Sequence, residues 1–393
     1  MPAAVGGDAA RSRRRSRQRE AHTPTRATGR ERRAEARARA EEARAAAPER
    51  RGLPTIVIVL AVAAVVALVL GLVLATGFLT PPGSSSPGPA ATLRTVLRAE
   101  AADVVVTGGS GWAVDDDAGT IRRFDPSSGA WTGHAIAVGQ RPVSVAAGFG
   151  RLWVADAVDN TVVAVNPATG KLDGAPVEVA AEPVSVAAGD GGVWVASLGG
   201  NAVTLIDPHT KSVRASVALE DGAVRLALGA GAVWVTGQTD TLTRISPKPL
   251  GVSLTATPMR VGNGPIGVAA VDGAVWVADA FGGQLTEVDP AHLRVVRTVT
   301  FGAGGRVGAI SSGRVASGDT HTSDPVVVAV ADGQVWVGDG QAGTLTEIDS
   351  ATGKQRNAPV PLPGAPRRLV TADDGSLWVT TANPSRVLLV SPS

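Results

Sequence analysis

A tryptophan set in a short apolar run, as in Leu152-Trp153-Val154-Ala155-Asp156, returns around Trp112, Trp194, Trp234, Trp276, Trp336 and Trp378. The successive steps are 41, 41, 40, 42, 60 and 42 residues. Apolar runs of this length bounded by turn residues read as buried strands. A repeat near this length, built of short strands, is the signature of a β-propeller blade. The chain is therefore expected to be all-β, a seven-bladed β-propeller over residues 92–393.

Each unit carries a longer grammar. In the second, 142–146 is a first strand, 151–156 a second, 161–165 a third and about 174–180 a fourth. The turn Asn166-Pro167-Ala168-Thr169-Gly170 recurs at Asp125-Pro126, Asp207-Pro208, Ser246-Pro247, Asp289-Pro290 and Asp349-Ser350. Asn or Asp can accept the backbone N–H two residues on, Pro fixes φ, and Gly takes positive φ. First strands recur after Pro183, Pro265, Pro325 and Pro366. Runs such as Val193-Trp194-Val195 are apolar on both faces, as expected where each sheet is pressed between two others. The repeated Trp is read as packing between blades, and Trp131, outside the register, as part of the first blade's fourth strand.

The last unit ends at Ser391-Pro392-Ser393, where a turn should lead to a fourth strand. At the other end, 92–99 resembles a fourth strand without a blade. Unpaired edges are unfavourable, and a closed ring removes them. The expectation is that 92–99 completes the seventh blade. The 60-residue step holds a Gly- and Ser-rich insertion at 302–324, too short for another blade.

Charge separates the rest of the chain from the repeats. The net charge is only +2, yet residues 1–51 hold 15 Arg against 7 Asp or Glu. Almost without large apolar side chains, this tail is expected to be disordered. Its Arg13-Arg14-Arg15 cluster, with no interleaved aromatics, suits anionic lipid headgroups better than nucleic acid. Residues 53–79 carry no charge and are long enough to cross a bilayer as a helix. Arg50 and Arg51 flank one side, which places the N-terminus in the cytoplasm and the repeats outside. A cleaved signal peptide and a twin-arginine leader are the rival readings. Residues 80–91, rich in Pro, Ser and Gly, read as a stalk. Cys is absent, which excludes disulfides, thiolate metal sites and a Cys nucleophile.

The phrases at 152–156, 166–171, 265–269, 275–279, 289–290 and 349–354 resemble YVTN-type propeller repeats, with the virginiamycin B lyase-like and NHL-type propellers as relatives. The resemblance covers 92–393 and implies an architecture. It leaves activity open, since such propellers include lyases, lactonases, ligand-binding sensors and scaffolds. A propeller beyond one membrane helix also resembles the sensor half of receptor kinases, but residues 1–51 are too short for a kinase.

Candidate chemistry is sparse. The lyase relatives imply His and a metal at the channel. Here His22 is in the tail, His134, His209 and His292 do not converge, and His321 in the insertion is the one with access to the mouth. Asp115, Asp156, Asp279 and Asp339 recur at the end of the second strand and read as local turn caps on the ligand-binding face. Asp115-Asp116-Asp117 is a candidate for a divalent cation. Otherwise no cofactor is expected. Arg141, Glu182, Asn263 and Arg367 break the repeat where first strands begin. The candidate ligand site is accordingly Arg141, Glu182, Asn263, Arg367, Asp156, Asp279, Asp339 and His321, with no catalytic residue assigned. The leading expectation is an extracytoplasmic, membrane-anchored binding or scaffold module for an unknown protein or small molecule. The alternative is a metal-dependent lyase or lactonase-like hydrolase.

Overall fold

The computed structural model describes residues 91–247, 254–271, 273–281, 283–300 and 326–391. The tail 1–51, the apolar segment 53–79, most of the stalk and the 302–324 insertion with His321 lie outside them. Among the described residues no helix is long and apolar enough to cross a membrane.

The described chain is all strand and turn, in seven sheets. After β1 (Thr92–Leu97), the first blade comprises β2 (Asp103–Thr107), β3 (Ser110–Asp115), β4 (Thr120–Phe124) and β5 (Ile136–Ala137). The second comprises β6 (Pro142–Gly148), β7 (Arg151–Asp156) and β8 (Thr161–Asn166), with short β9 (Lys171–Leu172) and β10 (Val177–Glu178) both on β8. The third runs β11 (Pro183–Gly189), β12 (Gly192–Ser197), β13 (Ala202–Asp207) and β14 (Ser212–Ala218). The fourth is β15 (Arg225–Gly229), β16 (Ala232–Thr236), β17 (Thr241–Pro247) and β18 (Leu254–Arg260). The fifth is β19 (Pro265–Val271), β20 (Ala274–Asp279), β21 (Gln284–Asp289) and β22 (Arg294–Thr300). The sixth is β23 (Val326–Ala331), β24 (Gln334–Asp339), β25 (Thr344–Asp349) and β26 (Val360–Pro361). In the seventh, β27 (Ala365–Thr371), β28 (Leu377–Ala382) and β29 (Arg386–Ser391) are joined by β1, which lies antiparallel to β29 with Thr92 opposite Ser391.

The first strands of the blades pack on one another in an unbroken circle, β2 on β6, then β11, β15, β19, β23, β27 and back to β2. They are the inner edges of the sheets and line the central channel. Between each pair of neighbouring blades sits one apolar cluster containing one repeat Trp. Trp153 packs with Val186, Val193 and Val195 of the next blade, and Trp194 with Leu226, Val233 and Val235 of the one after. The last interface brings Trp378 against Val104, Val106, Ala113 and Phe124 of the first blade, with Leu97 of β1. All seven rings are buried. A wedge-shaped gap between twisted sheets needs one large flat side chain, and losing a buried Trp costs about 3–5 kcal/mol.

The turns follow the grammar. Asn166 Oδ1 accepts N–H from Ala168 and Thr169, and Asp125, Asp207, Asp289 and Asp349 cap their own turns in the same way. The inner hairpins use two residues of positive φ, Gly108-Gly109, Phe149-Gly150, Asp190-Gly191, Ala230-Gly231 and Asp332-Gly333. This is the turn whose twist matches paired strands.

Two expectations at the outer edges need correction. The second blade has no continuous strand over 174–180. Pro176 has no N–H to give a ladder and Gly174 sits at φ +95, so the edge splits into β9 and β10. Trp131 lies outside the fourth strand of the first blade. It makes a single bridge to Phe124, stacks edge-on to that ring at 6.2 Å, and lies beneath the Arg122 guanidinium at 4.8 Å.

Candidate functional site

The rim carboxylates are held by local backbone. Asp156 is fully buried and accepts N–H from Arg141 at 2.6 Å, Val158 at 2.9 Å and Asp159 at 2.7 Å. Asp339 caps Gln341 and Ala342, and Asp115 caps Ala118. Asp279 occupies the same place as Asp156 but is far less well served. Asn263 N–H reaches its Oδ2 at 3.4 Å, while Oδ1 has no partner among the described residues. Burial pushes the Asp279 carboxyl up to about 6, and the Asn263 N–H only partly opposes this.

The residues that break the repeat divide in two. Arg141 and Glu182 stand just before β6 and β11, where their carbonyls accept N–H from Ala157 and Leu198. Glu182 is at φ +58 and donates its own N–H to Asn160 Oδ1 at 2.7 Å. Asn263 is exposed in the loop before β19. The backbone groups of Arg141 and Glu182 serve turn geometry. Arg367, on β27, is largely buried and forms a 2.8 Å ion pair with Asp116 of the first blade. That pairing engages the middle carboxylate of Asp115-Asp116-Asp117, so the triplet is not a free oxygen cage. Among the described residues no cluster of three or more His, Asp or Glu is arranged to hold a metal ion. His209 and His134 are exposed, and His292 is tied to Asp289 on the outer turn.

A denser set of polar groups lies further along the first strands, one residue past Arg367 and its equivalents. There the blades carry, in order, Asp103, Ser144, Ser185, Arg225, Gly267, Val327 and Arg368. An inner edge strand leaves backbone N–H groups facing the channel, and each needs an acceptor. In three blades the neighbour supplies it. Val145 N–H donates to Asp103 Oδ2 at 3.0 Å, Val186 N–H to Ser144 Oγ at 3.2 Å, and Leu226 N–H to Ser185 Oγ at 3.4 Å. The side-chain belt then changes sign. Arg225 has no acceptor to offer. Its Nη1 donates to the Val184 and Val224 carbonyls, each at 3.3 Å. Arg368 reaches from the seventh blade across the first, donating through Nη2 to the carbonyls of Val143 and Val184, each at 3.3 Å.

Both guanidinium groups thus converge on one carbonyl oxygen, that of Val184. The nearby carboxylate is Asp103, 3.5 Å from Arg368 Nε and already accepting N–H from Val104 and Val145. Burial first, and then the Arg368 charge, pulls the Arg225 guanidinium well below its ordinary value, with Asp103 opposing and Arg367 adding to the depression. Burial likewise lowers Arg368, again against Asp103. A guanidinium does not give up its proton in a protein, so the depression measures how unfavourable the charge is where it sits. Two like charges that share one carbonyl oxygen repel, and burial strengthens the repulsion by lowering the effective dielectric.

No residue at this level except Arg368 adjoins one singled out from the sequence. Arg141 and Glu182 stand three residues before Ser144 and Ser185, and Asn263 four before Gly267. Aligning the first strands on their prolines and reading the second residue after each puts Arg368 level with Ser144 and Ser185.

No family model matches the chain, and no curated protein sequence matches it. Its shape is nevertheless common among solved structures. A streptogramin B lyase aligns over 79% of this chain and 100% of its own, with 14% identity and a TM-score of 0.62. Virginiamycin B lyase from Staphylococcus aureus aligns over 77% of this chain and 100% of its own, at 14% identity and a TM-score of 0.61. The WD40 repeats of RRP9 align over 78% and 99% of the two chains, at 12% identity and a TM-score of 0.64. At these identities the likeness is one of fold, and the fold is the seven-bladed β-propeller.

Proposed function

We propose that this chain is a membrane-anchored, extracytoplasmic β-propeller of YVTN-type repeats that works as a binding module for a protein or small-molecule ligand. Residues 53–79 cross the bilayer, the tail 1–51 lies on anionic lipid in the cytoplasm, and β1 fastens the ring beyond the stalk. The observation that carries the binding role is the channel. The repeat is apolar in its blades, and it gives way to charged side chains at Asp103, Arg225, Arg367 and Arg368. Concave sites with a few convergent polar groups are where folds of this kind take ligands. WD40 propellers of the same shape are consistent with a protein partner.

The anchoring half is tested with full-length chain bearing a C-terminal tag in bacterial cells. External protease should remove the tag, and alkaline carbonate should leave the chain in the membrane. A protected tag or a carbonate-soluble chain overturns it. The binding half is tested with immobilised full-length chain in detergent and envelope extract, where saturable retention competed by soluble chain is the expected result.

The second reading, a metal-dependent lyase or lactonase-like hydrolase, is favoured by the likeness to the streptogramin B and virginiamycin B lyases. It requires the rim carboxylates and His321 to take a divalent cation. Calorimetric titration of the full chain with Mg²⁺ and Ca²⁺ separates the two, since stoichiometric binding supports the enzyme.

A further inference from the structure

We propose that the channel holds a small oxyanion, a phosphate- or carboxylate-bearing molecule, between Arg225 and Arg368. The inference rests on the binding-module reading and names the ligand class. The charged groups around Arg225 are Arg368, Arg367 and Asp103. Arg367 is neutralised by Asp116 at 2.8 Å. That leaves two cations against the single carboxylate of Asp103, both of whose oxygens already accept backbone N–H. Among the described residues one positive charge remains without a counter-ion.

The donors are also in surplus. Among the described residues Arg225 directs only Nη1 to acceptors, and Arg368 only Nε and Nη2. Arg225 Nε and Nη2 and Arg368 Nη1 remain available. Both side chains are partly buried, Arg368 with 11% exposed. The shared bond to Val184 O holds the two forks near each other, so a ligand seated there meets N–H groups from both. A planar fork matches two oxygens of one anion, which favours an oxyanion over a halide.

The test is a thermal melt of full-length chain in detergent with inorganic phosphate or succinate, against chloride at equal ionic strength. At 100 times the dissociation constant the bound anion should raise the melting temperature by about 5 °C or more. Calorimetry should give one site per chain. Arg225→Met should weaken the anion at least tenfold and raise the melting temperature in anion-free buffer, because it removes the repulsion. A merely structural Arg225 would instead lower it. Arg368→Lys keeps the charge, loses the fork, and should give intermediate affinity even where Arg368→Met fails to fold. An equal rise in chloride would mean an adventitious ion only, and no rise in phosphate or succinate would equally overturn the oxyanion site. The binding-module reading stands or falls separately, on envelope retention by the parent chain. Retention without anion binding sinks this inference alone, and loss of both sinks the two together.

Discussion

Asp279 and Asp156 hold the same place in two blades, yet their amide variants should move stability in opposite directions. The Asp279 carboxyl is raised from 3.8 to about 6 by burial, with one long N–H contact at 3.4 Å. Between pH 4 and 6 the folded chain therefore holds a proton that the unfolded chain has released. Stability from this group is fully present below about pH 4 and is lost as pH rises through about 6. A shift of about two units corresponds to some 3 kcal/mol at neutral pH, as an upper bound. Asp279→Asn removes the ionisation but brings an amide N–H of its own to satisfy, which costs about 1 kcal/mol. The net gain should be about 2 kcal/mol at pH 7.5, fading to nothing or a slight loss at pH 4. Asp156→Asn faces the opposite situation. One amide nitrogen must oppose an N–H that the carboxylate accepted, at a cost of about 2 kcal/mol. Urea unfolding of both variants and the parent chain at pH 4 to 8 reads these differences, and the other carboxylates cancel in the comparison. An Asp279→Asn chain less stable than the parent at pH 7.5, or a pH-independent difference, would refute the reasoning.

Three further outcomes follow from the backbone. Deleting residues 91–100 removes β1 and buried Leu97 from the seventh sheet and should cost on the order of 5 kcal/mol, or roughly 10 °C in the melt; an unchanged melt would show that the ring does not depend on it. Phe149→Asn should stabilise by about 0.5–1 kcal/mol, because a bulky residue at φ +56 in a two-residue hairpin gives way to the type that favours it; a lower denaturation midpoint would count against this. Ser144→Ala strands the Val186 N–H and should cost about 1–2 kcal/mol, more than Ser185→Ala, whose contact is longer at 3.4 Å. Equal losses in chemical denaturation would remove the argument for the belt.

The architecture was legible because its controlling residue is scarce. One Trp must fill each inter-blade gap, so seven of the eight in the chain mark seven interfaces. The turns were legible for a similar reason, since Asp or Asn before Pro has a backbone to cap. The channel was not. In a strand apolar on both faces, alternation carries no direction, and Val184 and Ser185 differ too little to say which faces inward. Arg367 and Arg368 are adjacent cations, and only the ring shows that one pairs sideways with Asp116 while the other reaches across the opening. The outer edges were overestimated because Pro176 and its neighbours break a strand that propensity alone would continue.

The pairing of Thr92–Leu97 with Arg386–Ser391 also sets an order of assembly. Among the described residues the first strand to leave the ribosome has as its partner the last one made. At about 5–20 residues per second, synthesis of the intervening blades takes some 15–60 s, and for that time β1 has no sheet to join. A chaperone that shields a naked strand edge has its natural substrate there. The seventh blade locks in one event only when β29 has emerged.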